Sequence, residues 1–131
     1  VDLSPWLAGR GDSRDPHDAL YFYYNSNELQ AVRSGEWKLY LPHKYNTLGS
    51  GHGGTGGAPA NYTSVACGLE LYNLASDPQE KTDVAAANAE VVTRLTGFAE
   101  RARAELGDSL TKRKGSGVRE AGRADWPAEA K

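Results

Sequence analysis

Several things are scarce in this sequence. Its 131 residues include no methionine and a single cysteine, and 15 basic side chains nearly balance 17 acidic ones. One cysteine cannot close an internal disulfide, so the redox compartment stays open. The near-neutral balance gives no electrostatic reason to expect nucleic acid or an anionic membrane as the main partner. No apolar run approaches the ~20 residues that a spanning helix needs, which excludes an integral membrane protein of that kind. The opening Val1-Asp-Leu-Ser-Pro5 carries no basic and then apolar leader. The missing methionine fits two readings, an initiator removed before Val1 or a chain that begins inside a longer protein. The length suits one domain with a modest core.

What is present divides into regions. Residues 1–18 read as a connector, with Pro5, Gly9, Gly11 and Pro16 among four aspartates. Ala19-Leu-Tyr-Phe-Tyr-Tyr24 is β-favouring, with Leu20, Phe22 and Tyr24 on one face and Tyr21 and Tyr23 on the other. Asn25-Ser-Asn27 supplies a turn, residues 29–33 a second strand, Ser34-Gly35 a hairpin turn and residues 36–41 a third strand ended by Pro42. Residues 43–68 read as one long glycine-rich loop, and loops of that length are uncommon unless functional or disordered. Residues 69–74 return to strand pattern. The clearest element is a helix over 89–106, where Val91, Val92, Leu95, Phe98, Ala99, Ala102 and Leu106 recur at helical spacing. Asn88 is its expected N-cap, and Gly107 its expected terminator. Glu90 with Arg94, and Arg101 with Glu105, are the expected ion pairs on its wet side. Residues 111–131 have no period and few large apolar groups, which predicts a mobile tail. The expected fold is therefore α+β: a four-stranded antiparallel sheet, one long helix packed on one face, a long loop and a tail. The first strand is apolar on both faces while one helix can cover only one of them. The pattern asks for a partner on the other face.

Tests for chemistry mostly fail. Gly49, Gly51 and Gly54 fit a dinucleotide spacing but neither follow a strand directly nor open a helix. His17, His43 and His52 pair with no Cys or His at metal-ligand spacing, so no metal site is expected. Cys67 stands alone and reads as a small buried residue rather than a nucleophile. Asn61-Tyr-Thr63 matches a glycosylation sequon at chance level. The cluster Pro42-His-Lys-Tyr45 differs, because it sits just past a strand end, where side chains are held while reaching into a cleft. An ordinary polar turn accounts for it equally well.

Several stretches, in order, resemble the C-terminal region of a sulfatase of the arylsulfatase type. They are Val1-Asp-Leu-Ser-Pro-Trp-Leu-Ala-Gly9, Ala31-Val-Arg-Ser-Gly-Glu-Trp-Lys-Leu39, and Leu69-Glu-Leu-Tyr-Asn-Leu-Ala-Ser-Asp-Pro-Gln-Glu80 followed by Asp83-Val-Ala85. Leu41-Pro-His-Lys-Tyr45, Gly53-Gly-Thr-Gly-Gly57, Pro59 and Tyr62 are similar to a narrower bacterial branch. The resemblance implies sulfate-ester hydrolysis in an intact enzyme that uses a formylglycine, made from a Cys or Ser in C/S-x-P-x-R, and a calcium ion. Both belong to a large N-terminal catalytic domain. Here Cys67 is followed by Gly-Leu-Glu, so the motif is absent and no catalytic residue is expected in this chain.

The resulting expectations are specific. Residues 1–18 lead from the missing catalytic domain, 19–110 form the C-terminal subdomain, and 111–131 are a flexible tail. His43, Lys44, Tyr45 and His52 contact a sulfated small molecule or glycan, by charge-assisted hydrogen bonds where a cation is involved. The chain is inactive alone, and the intact enzyme is periplasmic or secreted, as the resemblance implies. A second class stays open: a free-standing module that docks carbohydrate or protein on Tyr21, Tyr23, Tyr24, Tyr40 and Tyr72.

Overall fold

The computed structural model describes residues 4–9, 17–49 and 51–122. Of the connector, Ser4–Leu7 forms one helical turn, α1, and much of the rest lies outside the described residues. Strands β1 (Leu20–Tyr24), β2 (Glu28–Ser34), β3 (Trp37–Tyr40) and β6 (Glu70–Asn73) form a four-stranded antiparallel sheet in the order β1-β2-β3-β6. The turn between β1 and β2 places Asn25 and Asn27 at positive φ, 47° and 73°. Asparagine tolerates that region because its short amide bonds locally. Gly35, at φ 59°, turns β2 into β3.

A β-bulge decides which side chains reach the core. Phe22 pairs with Ala31 while Tyr23 pairs with Leu29, so Gln30 is the extra residue of β2. In a regular strand, Leu29 and Val32, three positions apart, would face opposite sides. The bulge turns both inward, and both have no exposed surface.

Helix α2 (Ala89–Leu106) covers this inner face. Leu95, Ala99 and Ala102 are its buried residues, and they meet Leu29, Val32, Leu39, Leu41 and Leu71 from the sheet. Tyr21, Tyr23 and Trp37 close the edges of the cluster. Each fully buried leucine contributes roughly 1.5–3 kcal/mol. The α+β reading, with one helix and an antiparallel sheet, is thus the observed fold.

Four details depart from expectation. The segment read as one long loop contains strands β4 (His43–Thr47) and β5 (Thr63–Cys67), paired antiparallel from His43↔Cys67 to Thr47↔Thr63. Strand β4 is mostly polar and β5, Thr-Ser-Val-Ala-Cys, has its apolar residues consecutive and exposed up to Cys67, so neither carries an alternating apolar signal. Asn88 does not cap α2 with its side chain; its amide donates back to the Val84 carbonyl at 2.9 Å. The wet side of α2 is wired differently too: Arg94 reaches Ser34, Arg101 lies over the Phe98 ring, and Arg103 takes Glu100. Finally, the first residues of the expected tail are held. Strands β7 (Gly107–Asp108) and β8 (Arg113–Lys114) pair, and Ser116 and Gly117 donate to the Ala104 and Glu105 carbonyls at 2.9 and 2.8 Å. A helix end leaves its last carbonyls without intrahelical partners, and this returning chain supplies them. Residues 123–131 lie outside the described residues.

Candidate functional site

The outer face of the sheet carries the chemistry. Leu20, Phe22 and Tyr24 project there from β1 and are exposed, while Lys38 and Tyr40 of β3 and Tyr72 of β6 stand beside them. Lys38 Nζ lies 4.5 Å from the centre of the Tyr40 ring and 5.2 Å from that of Phe22. It also donates to Tyr40 Oη at 2.6 Å and to Glu80 Oε1 at 2.7 Å, and Tyr40 donates to Glu80 Oε2 at 2.7 Å.

Glu80 reaches this triad from the turn after β6. Asp77 builds that turn, its carboxylate accepting the amides of Lys81 and Thr82 at 2.7 and 2.8 Å. Glu80 itself has φ 55°, a left-handed conformation that costs a non-glycine residue roughly 1–2 kcal/mol. The chain beyond it returns to the sheet edge, where Asp83 accepts the Leu71 amide at 3.0 Å and Val84 donates to the Leu71 carbonyl at 2.9 Å. Burial alone would lift the Glu80 carboxyl; hydrogen bonds from Lys38 and Tyr40 outweigh it and hold the group below its ordinary range. Burial likewise pulls the Lys38 ammonium down, but Glu80 and Tyr40 leave it raised overall. The Tyr40 hydroxyl is raised, chiefly by burial.

The β4–β5 hairpin stands across from this surface. Alternation puts His43 and Tyr45 on one face of β4, with Cys67 and Val65 opposite them on β5, and Lys44 and Asn46 on the other face. The His43 ring is buried and stacks on Tyr40 with centroids 6.0 Å apart and planes 20° apart. Its Nδ1 donates to the Leu41 carbonyl at 2.6 Å, so a neutral ring held this way offers Nε2 as the acceptor. Tyr45 lies 6.2 Å from His43 and is 46% exposed. Tyr72 meets Tyr40 edge-on at 5.9 Å and donates to Glu70 at 2.7 Å. Burial and that bond to Glu70 push the Tyr72 hydroxyl upward.

These side chains line an open cleft of about 370 Å³, walled by Tyr40, His43, Tyr45, Tyr72, Glu70 and Glu80. Cys67 also lines it, but burial, and then the Glu70 charge, push its thiol up to about 11. The thiol donates to the Gly68 carbonyl at 3.4 Å. It is therefore a protonated wall residue and a poor nucleophile.

The four residues singled out from sequence are split by this geometry. His43 and Tyr45 line the cleft together. Lys44 is exposed on the opposite hairpin face and lines a wider, adjoining groove of about 710 Å³ with Tyr24, Asn46 and Tyr62, a groove that shares Gln30 and Tyr45 with the cleft. His52 is exposed in the loop joining β4 to β5 and lines neither. Sequence reading missed Lys38, Glu70 and Glu80, and named Tyr72 only in the aromatic set of the binding-module reading. Alternation placed Lys38 beside Tyr40, but nothing local signals that Glu80, 42 positions later, completes the triad. The aromatic contact set of the binding-module reading also divides, because Tyr21 and Tyr23 pack against the core under α2.

Among the described residues no helix is long and apolar enough to cross a membrane. Residues 15–121 match the family model described as the C-terminal region of aryl-sulfatase. A search of curated proteins returns no match.

Proposed function

This chain belongs to the family of aryl-sulfatase C-terminal regions, and from that premise we propose that it completes a sulfatase, lining the substrate cleft of an enzyme whose catalytic centre lies in an N-terminal domain. The observation that carries this reading is the cleft itself: His43 and Tyr45, on one face of a projecting hairpin, oppose an aromatic sheet surface. Small-molecule sites are commonly concave, of about 300–1,000 Å³, and aromatic with a few placed polar groups. The exposed Leu20, Phe22 and Tyr24 support a neighbouring domain against the same face.

The family's formylglycine and calcium do not fit residues of this chain. Cys67 is a buried thiol followed by Gly-Leu-Glu, and among the described residues no three His, Cys, Asp or Glu side chains gather to hold a metal. Both belong, in this proposal, to the catalytic domain. The role here is substrate-lining and structural, the isolated chain is inactive, and the intact enzyme works on aryl or carbohydrate sulfates in a bacterial periplasm or outside the cell.

The test uses the 131-residue chain and the longer polypeptide that joins it to a C/S-x-P-x-R segment. The chain alone should not turn over an aryl sulfate. In the longer protein, Tyr45→Ala should raise KM about tenfold, the equivalent of one lost aromatic contact. A KM and kcat both unchanged by Tyr45→Ala would remove the substrate-lining role.

A further inference from the structure

The charge of the cleft does not suit sulfate. Two carboxylates, Glu70 and Glu80, line it; Lys38 is not among its lining residues and is engaged by Glu80 at 2.7 Å. Lys44, the cation that sequence reading assigned to sulfate, alternates onto the other hairpin face and lines an adjoining groove that shares Gln30 and Tyr45 with the cleft, and it does not line the cleft itself. An anion entering between Tyr45 and Tyr72 would meet net negative charge, with no lysine or arginine among the described lining residues to replace its water.

What the cleft does offer is flat aromatic surface with acceptors at its edge. Tyr40, His43, Tyr45 and Tyr72 present rings at centroid spacings of 5.9 to 6.2 Å. Each carboxylate takes a tyrosine hydroxyl, Glu80 from Tyr40 and Glu70 from Tyr72, and an ionised carboxylate has about four acceptor positions to fill. The Tyr72 hydroxyl, donating to Glu70, keeps its oxygen as an acceptor, while that of Tyr40 already accepts from Lys38. The surface therefore suits a ring with apolar C–H faces and several hydroxyl donors on its rim.

Resting on the sulfatase reading above, we infer that this cleft is a subsite for an uncharged, hydroxyl-rich ring, a neutral sugar residue of the substrate, and that it excludes the sulfate group. Substrate orientation follows: the sulfate-free part lies between hairpin and sheet, and the ester projects away from Glu70 and Glu80. Selectivity follows from the two lining carboxylates, and Lys38, which reaches Glu80 from outside the lining, is already paired with it.

Amide shifts of the 131-residue chain, titrated with methyl β-D-galactopyranoside, methyl β-D-glucopyranoside or inorganic sulfate, test this. A neutral glycoside should move the amides of Cys67, Glu70 and Tyr72 saturably, while sulfate leaves them in place. Tyr45→Ala should weaken the glycoside about tenfold. Glu80→Gln, which releases Lys38, should give sulfate a saturable shift at the same amides that the unmodified chain lacks. Sulfate moving those amides in the unmodified chain, neither glycoside binding, or Tyr45→Ala binding as tightly would each overturn the inference. The sulfatase reading fails separately, on the turnover of the longer polypeptide, so the two failures are distinguishable.

Discussion

Arg103 Nε donates to Asp108 Oδ2 at 2.8 Å, across the end of the long helix. Asp108 is wholly buried, and its other oxygen accepts the amides of Leu29 at 3.3 Å and Leu110 at 3.0 Å. One carboxylate thus ties the last turn of α2 to the bulged strand and to the returning chain. Nearby, Tyr23 donates to the Gly107 carbonyl at 2.9 Å and Asn27 to that of Leu106 at 3.1 Å. The first hairpin of the sheet and the helix end are therefore fixed to one another through polar groups as well as through the core.

Removing Asp108 should show how much that junction contributes. Asp108→Ala leaves the buried Leu29 amide without its partner and Arg103 with Glu100 alone, a loss of about 1–3 kcal/mol. Urea unfolding with a common slope measures it. A change below about 1 kcal/mol would mean that the junction is dispensable.

Acid should loosen the Lys38–Glu80–Tyr40 triad. The folded-state Glu80 carboxyl sits below its ordinary value of 4.5, so its contribution is complete above that value. It is lost as pH falls through the depressed folded value, because the unfolded chain binds the proton first. The urea midpoint should therefore fall on acidification below 4.5 less steeply in Glu80→Gln than in the unmodified chain. Parallel curves would show that Glu80 carries none of the acid sensitivity.

Cys67 should resist alkylation. With its thiol raised to about 11 by burial and the Glu70 charge, little thiolate exists near neutrality. Iodoacetamide at pH 8 should label the folded chain much more slowly than the urea-unfolded chain. Cys67→Ala should cost on the order of 1 kcal/mol. Equal labelling rates would contradict the buried, protonated thiol.

Gly115→Ala should release the returning segment. A Cβ at Gly115 would stand 2.3 Å from the Glu105 carbonyl oxygen and 2.5 Å from the Gly107 nitrogen, both backbone atoms that cannot swing aside. Hydrogen exchange at Ser116 and Gly117 should quicken by at least about tenfold, the equivalent of 1.4 kcal/mol of local opening, while amides of β2 and β3 keep their rates. Protection at Ser116 and Gly117 equal to that of the unmodified chain would show that the segment is not held by this close approach.

Local pattern carried the sheet and the helix. Alternation of aromatic and aliphatic residues separated Tyr21 and Tyr23 from Leu20, Phe22 and Tyr24, and the 3.6-residue spacing of Leu95, Ala99 and Ala102 marked the face of α2. Two errors have a common cause. Strand β4 is mostly polar and β5 short and exposed up to Cys67, and β8 pairs through Arg113 and Lys114, so each is held by backbone hydrogen bonds that leave no clear hydrophobic period. Asn88 was misread because an amide that suits an N-cap can equally donate backward, here to Val84.

By itself the sequence determined the fold class, the helix and the family, because each depends on residues near one another in the chain or on their order. It also marked His43 and Tyr45. The tertiary structure alone decided what surrounds them: Glu70, Tyr72 and Glu80 converge from β6 and the following turn, with Lys38 of β3 reaching Glu80. It also decided that Lys44, between His43 and Tyr45 in the chain, faces another surface, because neighbouring side chains on a strand point to opposite sides. Charge at a cleft is a sum over distant residues, and that sum exists only once the strands have paired.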